Sequence, residues 1–172
     1  YVLIGTLPIA LVGLLLADVV EATFTDPRIA GAGLIVTGLL LLETKHSEER
    51  KGLDLRASMI MGLAQAAAVV PGISRSGSTI STGLISGVDR EEAVTFSFLL
   101  SIPATAGALA LEVIRSPLNE VMAPANLAGF ISSFAVGVVA IRVLLAVVRR
   151  GELHWFSYYC FALGALVLLL LR

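Results

Sequence analysis

Five stretches of mostly apolar residues, 2–21, 28–43, 90–115, 125–148 and 153–171, divide this chain, and its charges gather between them. A helix of about 20 residues crosses a hydrocarbon core of about 30 Å, and these stretches are near that length. Composition agrees: 57% of the 172 residues are hydrophobic, 15% are charged against about 25% in soluble domains, and the mean hydropathy is +0.93. Lipid offers backbone groups no hydrogen bonds, so runs of this length are expected as helices. The expected fold class is an all-α polytopic membrane protein, with residues 1–172 as a single membrane domain. The net charge is −1 and the twelve basic residues are scattered, which argues against a nucleic-acid surface. Cys160 is the single cysteine, so neither an internal disulfide nor a thiolate cluster can form.

The segment 57–87 breaks the pattern. Residues 57–70 are apolar for about 14 positions before Pro71, and 79–87 is shorter still, so neither half spans alone. Irregular backbone at membrane depth is tolerated where protein buries it or a wet cavity borders it. The spacing therefore predicts a re-entrant hairpin, helix–loop–helix, beside about five transmembrane helices. Thr25-Asp26-Pro27 turns the chain into the second crossing, where Gly31, Gly33 and Gly38 suit close packing, either internally or in a homodimer. Asp89 followed by Glu92 has the form of a capping box opening a helix near Arg90, and Pro103 is expected to kink it. Residues 116–124 read as a turn, and Trp155, Tyr158 and Tyr159 as an interfacial belt.

Loop charge orients this layout. With the hairpin re-entrant, one side carries Lys45, Arg50, Lys51, Arg56, Arg90, Arg149 and Arg150, and the other Arg28, Arg115 and Arg172. Seven against three places loop 44–56 in the cytoplasm and the hairpin's tip toward the outer side.

The tip is the chemical feature. Pro71 to Ile80 (PGISRSGSTI) holds one arginine, four hydroxyls and two glycines. An ionisable residue at membrane depth is costly, so Arg75 is a functional candidate by default. Its planar fork matches phosphate, the hydroxyls of Ser74, Ser76, Ser78 and Thr79 can donate to phosphate oxygens, and Gly77 permits close backbone approach. If Ser78 or Thr79 caps the returning helix, its free N–H groups face the same anion. The competing reading is a buried polar loop whose arginine is satisfied by carbonyls. A phosphate loop is excluded because Ser78 stands where its lysine belongs, a hydrolase elbow lacks its last glycine, and no HExxH zinc pattern occurs. Gln65 either lines the cavity or bonds a neighbouring helix. Asp18 with Glu21, and Glu112 with Arg115, read as interfacial charges; Arg142 reads as snorkelling or paired, and His46 and His154 as solvated or interfacial.

Gln65 through Ile80, then Gly87-Val88-Asp89-Arg90 and Phe96-Ser97-Phe98-Leu99-Leu100-Ser101-Ile102-Pro103, resemble the bacterial undecaprenyl-diphosphate phosphatase family of the bacitracin-resistance type. The likeness covers essentially the whole chain, as the C-terminal two-thirds of a family member. The chain starts at Tyr1 within an apolar run, which fits a piece of something longer. The resemblance implies an inverted-repeat enzyme of the bacterial inner membrane that hydrolyses the polyprenyl diphosphate and recycles the cell-wall lipid carrier, with a divalent cation, magnesium or calcium. Carried over by position, Arg75 and Ser74 are the catalytic candidates, Ser76, Gly77, Ser78 and Thr79 border the phosphate, and Gln65 stands where the other repeat carries a glutamate. The family's paired glutamates and their Pro-Val-Ser-Ser-Thr-Gly-His run are absent from residues 1–172, and with them the nucleophile and the metal carboxylates. The resemblance thus implies the arginine-bearing half of a site. A lipid-phosphate transporter or flippase, or a non-catalytic lipid-phosphate-binding protein, is the alternative, since broken helices also mark transporters.

Overall fold

Side-chain caps set where four of the helices begin. In a computed structural model describing residues 1–48, 52–115 and 124–171, Asp26 accepts from the Arg28 N–H at 2.9 Å with Pro27 at the first helical position. Asp54 accepts from the Ala57 N–H at 2.7 Å, and Asp89 from those of Glu91 and Glu92 at 3.0 and 3.2 Å. Such caps satisfy N–H groups that a helix start leaves unbonded. The helices are α1 (Val2–Leu15), α2 (Ala17–Thr23), α3 (Pro27–Glu43), α4 (Leu55–Ala67), α5 (Arg75–Ile85), α6 (Arg90–Arg115), α7 (Pro124–Arg149) and α8 (Phe156–Leu170). Short 3₁₀ turns at Thr44–His46 and Leu153–Trp155 follow α3 and precede α8.

Four spans are long and apolar enough to cross a membrane: Pro27–His46, Arg90–Ala110, Pro124–Arg149 and Leu153–Leu170. The chain is a multi-pass membrane protein. The first expected crossing differs from the sequence reading: α1 has 14 residues, stops at Leu15, and is followed by the separate α2. The break falls at Leu16, between α1 and α2, and not at Pro8, which stays inside α1. α6 continues through Pro103 as one helix. The expected turn at 116–123, and the side chains of Asp18, Glu21, Glu112 and Arg115, lie outside the described residues.

Packing explains the glycines of α3. Gly31 lies against Val167 and Leu168 of α8, Gly38 against the ring of Phe161, and Gly33 against the backbone of Pro71–Ile73. That face is therefore occupied within the chain. α1 crosses α4 where Gly62 meets the Gly5 backbone, and Ser58 Oγ donates to the Tyr1 carbonyl at 2.9 Å.

α4 and α5 form a hairpin packed among α1, α3 and α6. The start of α4 and the end of α5 share one end of the bundle, where Glu92 Oε2 accepts from the Leu53 N–H at 2.9 Å and Arg149 pairs with Glu91 at 2.8 Å. The 13 residues of α4 rise only about 20 Å, so the connection at 68–74 sits part-way along the longer helices. Beneath it Ile80, Leu84 and Val88 join Leu41, Ala93 and Val148 in the main buried cluster.

Candidate functional site

The loop between α4 and α5 is shaped by two glycines and one threonine. Gly72 has φ +84°, a left-handed conformation that disfavours a side chain, and a Cβ there would collide with the Ala30 carbonyl. Gly33 gives the matching relief on α3, since its Cβ would strike the Pro71 carbonyl. Thr37, four residues on, shares its hydroxyl proton between the carbonyls of Gly33 and Gly72, each at 3.0 Å, and accepts from the Ser74 N–H at 3.0 Å. Thr37 is 1% exposed, so these bonds form away from solvent.

Ser74, rather than Ser78 or Thr79, caps α5. Its backbone is extended at φ −67° and ψ 119°, and its Oγ accepts from the Gly77 N–H at 3.1 Å. A side chain on Gly77 would approach that Oγ to 2.9 Å, so the glycine makes room for the cap. The helix consequently starts at Arg75, and Ser78 and Thr79 fall one turn inside it. The Ser78 N–H bonds the Ser74 carbonyl at 2.8 Å. The amides of Arg75 and Ser76 have no acceptor among the described residues and sit at the positive end of the helix.

The predicted residues separate into two groups. Ser74 and Arg75 are exposed, Ser76 and Gly77 half-buried, and the Arg75 guanidinium makes no hydrogen bond or ion pair with a described residue. Ser78 and Thr79 turn into the packing, 1% and 0% exposed. Thr79 Oγ1 lies 2.8 Å from the Arg75 carbonyl and 2.5 Å from Ser97 Oγ on α6. The Ser78 hydroxyl is buried without a partner among the described residues.

Arg75 and Gln65 meet in a groove of about 690 Å³ between α1 and α6. Ala10 and Gly13 form one wall, Pro103, Ala104 and Gly107 the other, and among the described residues Arg75 is the one charged group lining it. Ser74, Ser76, Gly77, Ser78 and Thr79 are not among its lining residues. Gln65 is 1% exposed and its Nε2 donates to the Leu100 carbonyl at 3.3 Å. Arg142 is exposed on α7, His46 is exposed at the bundle end, and His154 bonds the Gly151 carbonyl, so none joins the groove. Among the described residues no cluster of three or more His, Cys, Asp or Glu could hold a metal ion.

Sequence reasoning passed over Thr37 and gave Ser97 no role. The signal for Thr37 was a hydroxyl one turn after Gly33 in an otherwise apolar helix, and for Ser97 a hydroxyl within the Phe96–Pro103 run. Replacing Thr37 by valine is expected to destabilise the protein by about 1–3 kcal/mol, the usual cost of stranding buried polar groups. Ser97→Ala leaves Thr79 its bond to the Arg75 carbonyl and is expected to cost less than about 1 kcal/mol. Thermal unfolding in detergent ranks the two, and equal losses would contradict this account of the loop.

Residues 1–166 match the family model described as bacitracin resistance protein BacA. The chain is 53% identical, over 99% of its length and 65% of the relative's, to an undecaprenyl-diphosphatase of Korarchaeum cryptofilum. It is 42% identical to one from Methanothermobacter thermautotrophicus, covering 97% of both chains. A third, from Rhodopirellula baltica, is 43% identical over 97% of this chain and 68% of its own. The chain thus spans slightly less than two thirds of the Korarchaeum relative and nearly all of the Methanothermobacter one.

Proposed function

Because the chain belongs to the bacitracin resistance protein BacA family, we propose that it serves in hydrolysis of undecaprenyl diphosphate to undecaprenyl phosphate and supplies the arginine-bearing half of the site. One observation carries this reading: Arg75, without a partner among the described residues, stands at a helix start beside two amides likewise without an acceptor there, and lines an apolar groove. A lipid diphosphate has the same two-part character. Its isoprenoid chain suits the small apolar walls, and its terminal phosphate suits Arg75.

Breaking the anhydride bond shifts charge onto the phosphoryl oxygens, and catalysis of such transfers is largely positioning and charge stabilisation. Arg75 presents a fixed fork to two of those oxygens, and the amides of Arg75 and Ser76 add donors that need no reorganisation. Ser74 Oγ is engaged as acceptor by Gly77 N–H, which leaves its own O–H to donate to the same phosphate. Thr79, through Ser97, fixes the first turn of α5 against α6 and acts on the phosphate only by holding Arg75's backbone. A nucleophile must attack phosphorus in line with the leaving lipid phosphate, and a base must take its proton; the described groove residues include no carboxylate or histidine. The divalent cation implied by the resemblance has no fitting donor set among the described residues either, since the charged group they bring to the groove is itself a cation. No step is assigned to a metal.

The hairpin is read as re-entrant in the cell membrane, with loop 44–56 cytoplasmic and the groove reached from the outer side. The asymmetry of basic residues supports this orientation. The decisive assay measures phosphate release from undecaprenyl diphosphate by the native protein in detergent, alongside transfer of the lipid across vesicles. Release is expected. Lipid transfer without release would make the protein a transporter and overturn the proposal.

A further inference from the structure

Gln65 is a buried amide with only half of its hydrogen-bonding capacity used. Its NH₂ end faces the Leu100 carbonyl, and since a carbonyl only accepts, that contact fixes which way the amide points. Oε1 is left buried without a donor among the described residues, on a side chain that lines the groove with Arg75. Buried acceptors are almost always satisfied, so an orphan beside a candidate anion site points to a donor carried by the ligand.

We propose that Gln65 contacts the terminal phosphate and selects its singly protonated form, Oε1 accepting from the P–O–H while Arg75 holds the ionised oxygens. This rests on the reading of the groove as a lipid-phosphate site. A fully ionised phosphate has no proton to give, and sets an anionic oxygen against the amide carbonyl. A singly protonated phosphate offers one donor and two acceptor oxygens that share one negative charge, which matches one orphan acceptor and one guanidinium.

The surroundings hold little else that titrates. α1 carries no ionisable side chain, α4 only Arg56 at its far start, and α5 only Arg75. On α6, Arg90, Glu91 and Glu92 lie at the opposite end of the hairpin from the groove, and residues 93–111 are uncharged. Glu112 and Arg115 close α6, and Asp18 and Glu21 stand on α2 just past the groove's Leu14, all four with side chains outside the described residues. Among the described residues, the ligand's own second ionisation, near pH 6, is therefore the titration left for Gln65 to read.

The test is the affinity of a polyprenyl monophosphate for the native protein in detergent, from about pH 5 to about pH 8 across that ionisation. Gln65→Met is expected to weaken binding about tenfold at the acidic end and hardly at all at the alkaline end. A loss equal at every pH, or no loss, would overturn the proposal, because a purely packing role does not follow the ligand's protonation. Gln65→Asn retains an amide but withdraws it, and serves with the same expected pattern where the methionine variant fails to fold. Arg75→Ala separates the two ideas: binding undiminished in that variant defeats the underlying site, whereas binding lost there with Gln65→Met unchanged defeats only this inference.

Discussion

Arg75→Ala is expected to lower phosphate release from undecaprenyl diphosphate by roughly 10²–10³-fold, comparable to removing one oxyanion-stabilising donor from a hydrolase. The guanidinium is exposed and makes no bond to a described residue, so its removal costs the fold little and the loss belongs to the chemistry. Arg75→Lys restores charge without the planar fork and is expected to recover only part of the rate. Steady-state kinetics on both variants, with unfolding temperatures as control, make the check. A lysine variant as active as the native protein would show that charge alone suffices, and an active alanine variant would remove Arg75 from the site.

Gly72→Ala is the largest stability effect expected. The substitution forces a side chain into φ +84° and drives its Cβ into the backbone carbonyl of Ala30, which no rotamer relieves. The left-handed conformation alone costs roughly 1–2 kcal/mol, and the collision with α3 should bring the total to at least about 3 kcal/mol. Gly107→Ala is the contrast, because nothing lies within 4 Å of its added Cβ. Alanine there is expected to be neutral or slightly stabilising, since glycine inside a helix is the poorer former by up to about 1 kcal/mol. Unfolding of both variants in detergent distinguishes a tight loop seat from a general intolerance of bulk.

Much of this organisation was legible in the residues. Asp26-Pro27, Asp54 and Asp89 announce helix starts through local chemistry, and long apolar runs announce spans, because both depend on neighbours along the chain. The end of α1 was not legible: residues 2–21 are continuously apolar up to Asp18, yet the helix stops at Leu15. The cap of α5 was misplaced for a related reason. Four hydroxyls compete for it, and the choice of Ser74 is made by Thr37, which lies 37 residues earlier and holds the Ser74 N–H. Arg75 stood out from its cost at membrane depth alone. The inward turn of Ser78 and Thr79 followed only once the helix register was fixed one turn earlier, and Ser97's role required α6 to be seen against α5.

The central claim is that the start of α5 is a phosphate cradle, and the amide resonances of that turn report on it most directly. On titrating the protein in detergent with a polyprenyl phosphate, the N–H signals of Arg75 and Ser76 are expected to move strongly downfield. The Gly77 signal, already bonded to Ser74 Oγ, and those of α7 should move little. Shifts centred elsewhere, or Arg75 and Ser76 amides indifferent to the lipid phosphate, would contradict the account.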